Sequence, residues 1–224
     1  MPQVRFPLVT DNYYHVFNRG VARQPIFKSQ YDYKYALSAL SYYPFINPPM
    51  KLSYFQSLSS ERKEEIMRGL KNGQKYISII AFVLMPNHFH LLLKQTYDEG
   101  ISKFMSLFCN SYSRYFNTKY QRVGPLLQGR FKSIHIETTE QLIHLSRYIH
   151  LNPVVSAVIP EKELFSYQYS SMPEYMNGNY NVVEAQEVLR EFKSIEAYKE
   201  FVVDHISYGK ELEKIKHLTF EDNI

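Results

Sequence analysis

The sequence predicts an α+β domain, a mainly antiparallel sheet backed by helices, and three features of the chain point there. Hydrophobic periodicity alternates along it in the order strand, helix, strand, strand, helix, strand, helix. A long apolar run over 77–95 (ISIIAFVLMPNHFHLLLKQ) stops at Pro86-Asn87 and resumes at once, as two strands joined by a tight turn would. With 224 residues and 45% hydrophobic content, the chain can bury one good core and carry a small appendage.

Taken in order, residues 12–18 (NYYHVFN) alternate with aromatic and β-branched content and predict a strand that Arg19-Gly20 ends. The loop 19–25 (RGVARQP) combines a turn-permissive glycine with Arg19 and Arg23, and suits a phosphate contact and a plain solvated loop equally well. Residues 29–42 predict a helix, with Tyr31, Tyr35, Leu37 and Leu40 near helical spacing and most simply read as core. The stretch 43–75 opens with prolines that interrupt any regular element and passes into a charged helix over 59–70; it reads as an insertion. Beyond the hairpin, 100–120 predicts a long helix with Ile101, Phe104, Met105, Phe108, Tyr112, Tyr115 and Phe116 on one apolar face.

Residues 119–132 place Lys119, Arg122, Arg130 and Lys132 among Tyr120, Phe131 and two glycines. Such interleaving can hold phosphates and stack unpaired bases, though cationic stems also cover apolar surface with no ligand involved. A strand over 131–137 (FKSIHIE) would complete the sheet. Thr138-Thr139-Glu140-Gln141 then supplies a capping-box pattern and opens a helix that Asn152-Pro153 is expected to end. Further on, amphipathic helices are predicted over 182–192 and 195–205.

Charge is unevenly shared. Residues 1–159 hold 19 Lys and Arg against 9 Asp and Glu, whereas 160–224 hold 7 against 13, so a basic body precedes an acidic tail. Clustered positive charge is a footprint of phosphate binding, if a weak one on its own. One cysteine, Cys109, excludes a disulfide framework within the chain and suits a reducing cytoplasm. The first residues lack the apolar stretch of a signal peptide, no apolar run reaches a membrane-spanning length of about 20 residues, and no glycine loop ending in Gly-Lys-Ser/Thr offers a nucleotide site.

The chemistry concentrates in two places. In a strand, side chains alternate, so His88 and His90 leave one face while Phe89 and Leu91 leave the other. That spacing lets two imidazoles share a metal ion, and it also suits two hydrogen-bonded histidines on a half-buried sheet. In the later helix, Tyr148 and Asn152 are four residues apart and share a face.

Leu84-Met85-Pro86-Asn87-His88-Phe89-His90-Leu91-Leu92, followed by Tyr148-Ile149-His150-Leu151-Asn152-Pro153, resembles the single-tyrosine HUH transposases, and among them the REP-associated tyrosine transposases. The match extends more loosely from Tyr13 to about Pro153. The resemblance implies a ferredoxin-like sheet within an HUH endonuclease domain over 1–159, which includes the insertion 43–75, with 160–224 as a helical extension. It implies metal-dependent cleavage and transfer of single-stranded DNA carrying REP-like hairpins; the cysteine usage and the absent glycine loop add the expectation of a cytoplasmic protein, monomer or homodimer, that uses no nucleotide cofactor. Tyr148 is then the expected nucleophile, forming a 5′-phosphotyrosine. His88, His90 and Asn152 are the expected ligands of Mg²⁺ or Mn²⁺, and Arg19, Arg23, Arg130 and Lys132 the expected DNA contacts. His144, one turn before Tyr148, could assist proton transfer or merely pack. Two other classes stay open on the residues alone: a non-catalytic module for structured DNA or RNA, acting as a repressor or chaperone, and a metal hydrolase unrelated to DNA.

Overall fold

The computed structural model describes residues 7–216, with side chains to residue 211; the first and last residues of the two expected units lie outside that range. Four strands form one antiparallel sheet: β1 (Tyr13–Arg19), β2 (Ile77–Met85), β3 (His88–Gln95) and β4 (Lys132–Ile136), in the order β2-β3-β1-β4. With α1 (Gln30–Tyr42) after β1 and α4 (Gly100–Lys119) after β3, this is the ferredoxin-like β-α-β-β-α-β arrangement. Two helices, α2 (Leu52–Gln56) and α3 (Ser60–Lys71), intervene before β2 and bury Leu52, Phe55 and Leu70 in the core.

Helices cover both faces of the sheet. Phe89 of β3 meets Phe108 of α4 edge-on at 5.4 Å, whereas the next residue, His90, meets Tyr148 of α5 (Thr139–Val155) at 5.5 Å. Period-two alternation thus assigns α1 and α4 to one face and α5 to the other. Double coverage explains why β2 reads as an unbroken apolar run and is buried at all nine positions. Its outer edge is sealed by the later chain: Leu84 N–H donates to Tyr169 O at 2.8 Å, Ser171 N–H to Phe82 O at 3.0 Å and Glu184 N–H to Ile79 O at 2.8 Å. β4, the opposite edge, exposes Lys132, Ser133, Ile134 and His135.

Two expectations change here. Pro153 does not end α5, which runs on to Val155. Sitting in the last turn, its missing N–H removes a single helical bond, and Ser156 N–H closes the helix on Asn152 O at 3.0 Å. The helix expected over 182–192 shrinks to α7 (Gln186–Leu189). Its first residues are claimed elsewhere, because the Glu174 carboxylate accepts the N–H groups of Asn181, Val182 and Val183 at 2.8–3.2 Å. The same region holds α6 (Met172–Asn177), α8 (Ile195–Val203) and α9 (Ile206–Lys216), of which α6 and α9 are not expected from the sequence. Among the described residues no helix is long and apolar enough to cross a membrane.

One buried carboxylate ties α1 to α4. Asp32, fully buried, accepts the N–H groups of Lys28 and Ser29 at the start of α1, the Lys119 ammonium at 2.6 Å, and the hydroxyls of Tyr115 and Tyr120. Burial pushes its pKa up, but these donors, Lys119 foremost, outweigh it and hold the carboxyl below its usual value. Asp32→Asn should cost roughly 2–4 kcal/mol at neutral pH, by stranding Lys119 and a donor pair. Because the folded pKa is the lower one, the contribution is full above about pH 4 and fades as pH falls through the folded value. Urea unfolding of both proteins at pH 7 and pH 3 checks this, the difference shrinking at the lower pH.

Candidate active site

The site forms where β1 and β3 run side by side. Their register pairs Phe17 with His90, Arg19 with His88 and His15 with Leu92, so His15, Phe17, Arg19, His88 and His90 all lie on the face that α5 covers. His15 sits diagonally from His90, and their rings stack with centroids 5.0 Å apart and His15 Nε2 2.8 Å from His90 Nδ1. Phe17 lies 4.8 Å from His15 and 5.7 Å from His90. Burial disfavours the imidazolium of His15 and lowers its pKa from 6.5 to about 4, so it is neutral at physiological pH.

His88 stands at the first position of β3, its ring nearly perpendicular to that of His90 with centroids 5.0 Å apart. Its Nδ1 is 2.7 Å from Asn87 Oδ1, an atom that only accepts, so the ring proton belongs on Nδ1. Asn87 in turn donates to Arg23 O at 3.2 Å, which locks the tight turn to the arginine loop. From the opposing helix, Tyr148 presents its ring edge-on to His90 at 5.5 Å and to His15 at 6.2 Å, and it is 40% exposed. A phenol there is both fixed by aromatic contacts and reachable from solvent.

Asn152 follows one turn along α5 and is 7% exposed. Its Oδ1 is buried with no hydrogen-bond partner, a costly state that a cation would relieve. Among the described residues no three His, Cys, Asp or Glu side chains converge; two imidazoles, His88 and His90, and the amide oxygen of Asn152 are the groups that could hold a metal ion here. That set fits a catalytic ion, which needs positions left for water and phosphate.

The four arginines and lysines expected at DNA lie at the same end of the sheet. Arg19 ends β1 and donates from Nε to Gln128 Oε1 at 2.6 Å. Arg23 is exposed on a short turn whose Ala22 and Arg23 take left-handed φ values of 52° and 57°. That loop is strapped over the hairpin: Gly20 N–H donates to Asn87 O at 2.8 Å, and Ile26 and Phe27 N–H to Pro86 O at 2.8 and 3.0 Å. Gly20 has an ordinary φ of −63°; glycine is required because a Cβ would lie 2.2 Å from Gln24 O. Arg130 and Lys132 are exposed, and Lys132 pairs with Phe17 on the same face.

His144 packs its ring against Phe201 at 5.4 Å and lines the same cavity as Tyr148. Its Nδ1 is 2.7 Å from Arg147 Nη2, and a guanidinium can only donate, so the His144 proton stays on Nε2. His15 and Phe17 are the site residues that the sequence did not single out. The alternation of NYYHVFN places them on one face, but only the strand register says that this face meets His88 and His90.

The model of the family "Transposase IS200 like" matches residues 37–152, just over half of the chain and a span that holds His88, His90, Tyr148 and Asn152. The chain belongs to the IS200-like transposases. Among solved structures, the fold of this IS200-like transposase is similar to that of a REP-associated tyrosine transposase bound to a REP hairpin, with 17% identity and a TM-score of 0.51 over 84% of this chain and 93% of that one. A weaker likeness is to the tRNA(His) guanylyltransferase of Saccharomyces cerevisiae, at 10% identity and a TM-score of 0.38 over 84% and 80% of the chains. No curated protein matches.

Neutral His15 makes the site pH-sensitive in a defined direction. Its folded pKa of about 4 lies below the unfolded 6.5, so the stability it contributes is full above pH 6.5 and is lost as pH falls towards 4. An NMR titration should find the His15 ring still unprotonated at pH 5, and His15→Phe should flatten the pH dependence of unfolding between pH 6.5 and 4.

Proposed function

We propose that this transposase is a metal-dependent single-strand DNA endonuclease and strand transferase, with Tyr148 as the nucleophile. The observation that carries the proposal is Tyr148 itself: a half-exposed phenol on α5, held edge-on to His90 on the sheet face that α5 covers. In the reaction, the Tyr148 oxygen bonds to the scissile phosphorus, the bond to the 3′ oxygen breaks, and that oxygen leaves with a proton as a 3′-hydroxyl. The phenolic proton departs to solvent or to a neighbouring base. The 5′-phosphotyrosine conserves the phosphodiester energy, so attack by another 3′-hydroxyl rejoins strands without a nucleotide cofactor.

Mg²⁺ or Mn²⁺ would be held by His88, His90 and Asn152, and when bound it would polarise the phosphate and favour the phenolate. The Nδ1 contacts of the two rings favour this. With Asn87 at His88 Nδ1 and His15 at His90 Nδ1, Nε2 is the nitrogen that each ring would offer a metal, oriented by its partner as metal-binding imidazoles are. Arg19, Arg23, Arg130 and Lys132 would take backbone phosphates at the same sheet end, and the hairpin bound by the REP-associated relative makes hairpin-bearing single strands the substrate we propose. Residues 1–159 would form the nuclease unit, with 43–75 inserted in it and 160–224 as its extension, acting in the cytoplasm.

The test is an adduct assay with labelled hairpin DNA and Mn²⁺. Wild type should form a denaturation-resistant adduct, and Tyr148→Phe, which removes one oxygen, should lower cleavage at least about 1,000-fold. Calorimetry should show the Mn²⁺ binding heat lost in His88→Ala/His90→Ala. An adduct on Tyr148→Phe would assign the nucleophile elsewhere, and equal Mn²⁺ binding by both proteins would remove the metal site.

A further inference from the structure

A cavity of about 250 Å³ opens between α5 and α9. Its walls include Tyr148 and Asn152, and with them His144, Arg147, His205 and Tyr208. No carboxylate lines it.

Arg147 is the anomaly. It is 7% exposed, yet among the described residues no carboxylate lies within ion-pair distance of its guanidinium. The group instead stacks on the Phe201 ring at 4.1 Å and donates from Nη1 to Phe201 O at 3.3 Å and from Nη2 to His144 Nδ1 at 2.7 Å. Those bonds use two of the five N–H groups that a guanidinium carries. A buried cation is normally paired, and burial lowers the pKa of Arg147 against the opposing pulls of Tyr198 and Asp204, neither of which lines the cavity.

The groups beside it are two imidazoles, His144 and His205. The contact with Arg147 leaves the His144 proton on Nε2, and His144 is exposed. His205, half-buried, has its pKa lowered by burial and then by the neighbouring charges of Arg147 and His144, against an opposing pull from Asp204. Three nitrogen side chains therefore meet at one cavity that no carboxylate lines, with Asp204 outside its walls.

We infer that this cavity is an oxyanion site, and that it takes the backbone phosphate next to the one Tyr148 attacks. The inference rests on the single-strand reading of the function. Tyr148 forms the shared wall: one side of α5 brings its ring to His90, and the adjoining side opens on the cavity. At about 250 Å³ the space is below the ~300–1,000 Å³ of drug-sized sites and suits a phosphate with part of its sugar rather than a whole base. Bound there, a phosphate would pair the buried guanidinium and hold the strand in register on the nucleophile.

Two measurements test it. Inorganic phosphate titrated into the full chain should shift the ring resonances of His144 and His205 saturably, and Arg147→Gln, confirmed as folded by circular dichroism, should abolish the shift. Single-stranded oligonucleotides carrying one neutral methylphosphonate at successive positions should then be bound to Tyr148→Phe protein, so that cleavage plays no part. One position beside the cleavage site should weaken binding about 10-fold, and adding His144→Ala and His205→Ala should erase that penalty while leaving the others. No phosphate-induced shift overturns the site. A shift without a position-specific penalty overturns the DNA reading and leaves a site for free phosphate. Because binding is read on Tyr148→Phe, failure of the nucleophile assignment would appear only in the adduct assay, and loss of all oligonucleotide binding would contradict both the function and its deepening here.

Discussion

The antiparallel register of β1 on β3 is the constraint on which the rest of the site depends. It sets Phe17 opposite His90 and Arg19 opposite His88, and it brings His15 diagonally into hydrogen-bond reach of His90. Side-chain direction has a period of two, so a slip by one residue would turn His15 and Phe17 to the α4 side and leave His90 without its partner. The register is well defended. Val16 and Tyr14, on the opposite face, are buried in the core, and the arginine loop beyond β1 is strapped to Pro86 and Asn87 by backbone bonds.

The later chain is bound into the same design through the residue between the motif's tyrosine and its asparagine. His150, fully buried and lowered in pKa to about 3 by burial, lies 2.7 Å from Tyr198 Oη and 2.8 Å from Ser171 Oγ. Ser171 also accepts from Phe82 N–H and donates its own N–H to Phe82 O, sealing the edge of β2. Within one helical stretch, Tyr148 faces solvent and the histidine pair, while His150 ties α5 to the segment that covers the sheet. The division of labour follows from helical geometry, since residues two apart point to different sides.

Much of this was legible in the sequence. The β2–β3 hairpin declared itself because an apolar run interrupted by Pro86-Asn87 has few other readings, and the face shared by His88 and His90 follows from strand alternation alone. The face shared by Tyr148 and Asn152 follows likewise from helical spacing. His15 was not legible, because its role comes from pairing across 75 residues of sequence, which no local pattern encodes. Nor was the fate of Pro153 or of the stretch before Gln186. In both, the backbone's hydrogen-bond partners, not its propensities, decide where a helix stops, and for Asn181–Val183 that partner is the distant-looking carboxylate of Glu174. Nor does any local pattern mark Arg147, whose burial comes from Phe201 of α8 and the start of α9 packing on it.

The central claim is that the β1–β3 register prepares two imidazole nitrogens and the amide of α5 for one metal ion beside Tyr148. Anomalous diffraction from a crystal of the protein soaked in Mn²⁺ tests it most directly. The account predicts a single peak about 2.0–2.3 Å from Nε2 of both His88 and His90 and from Oδ1 of Asn152. A peak on Nδ1 of either ring, or a crystal that takes up Mn²⁺ only away from this pair, would contradict it.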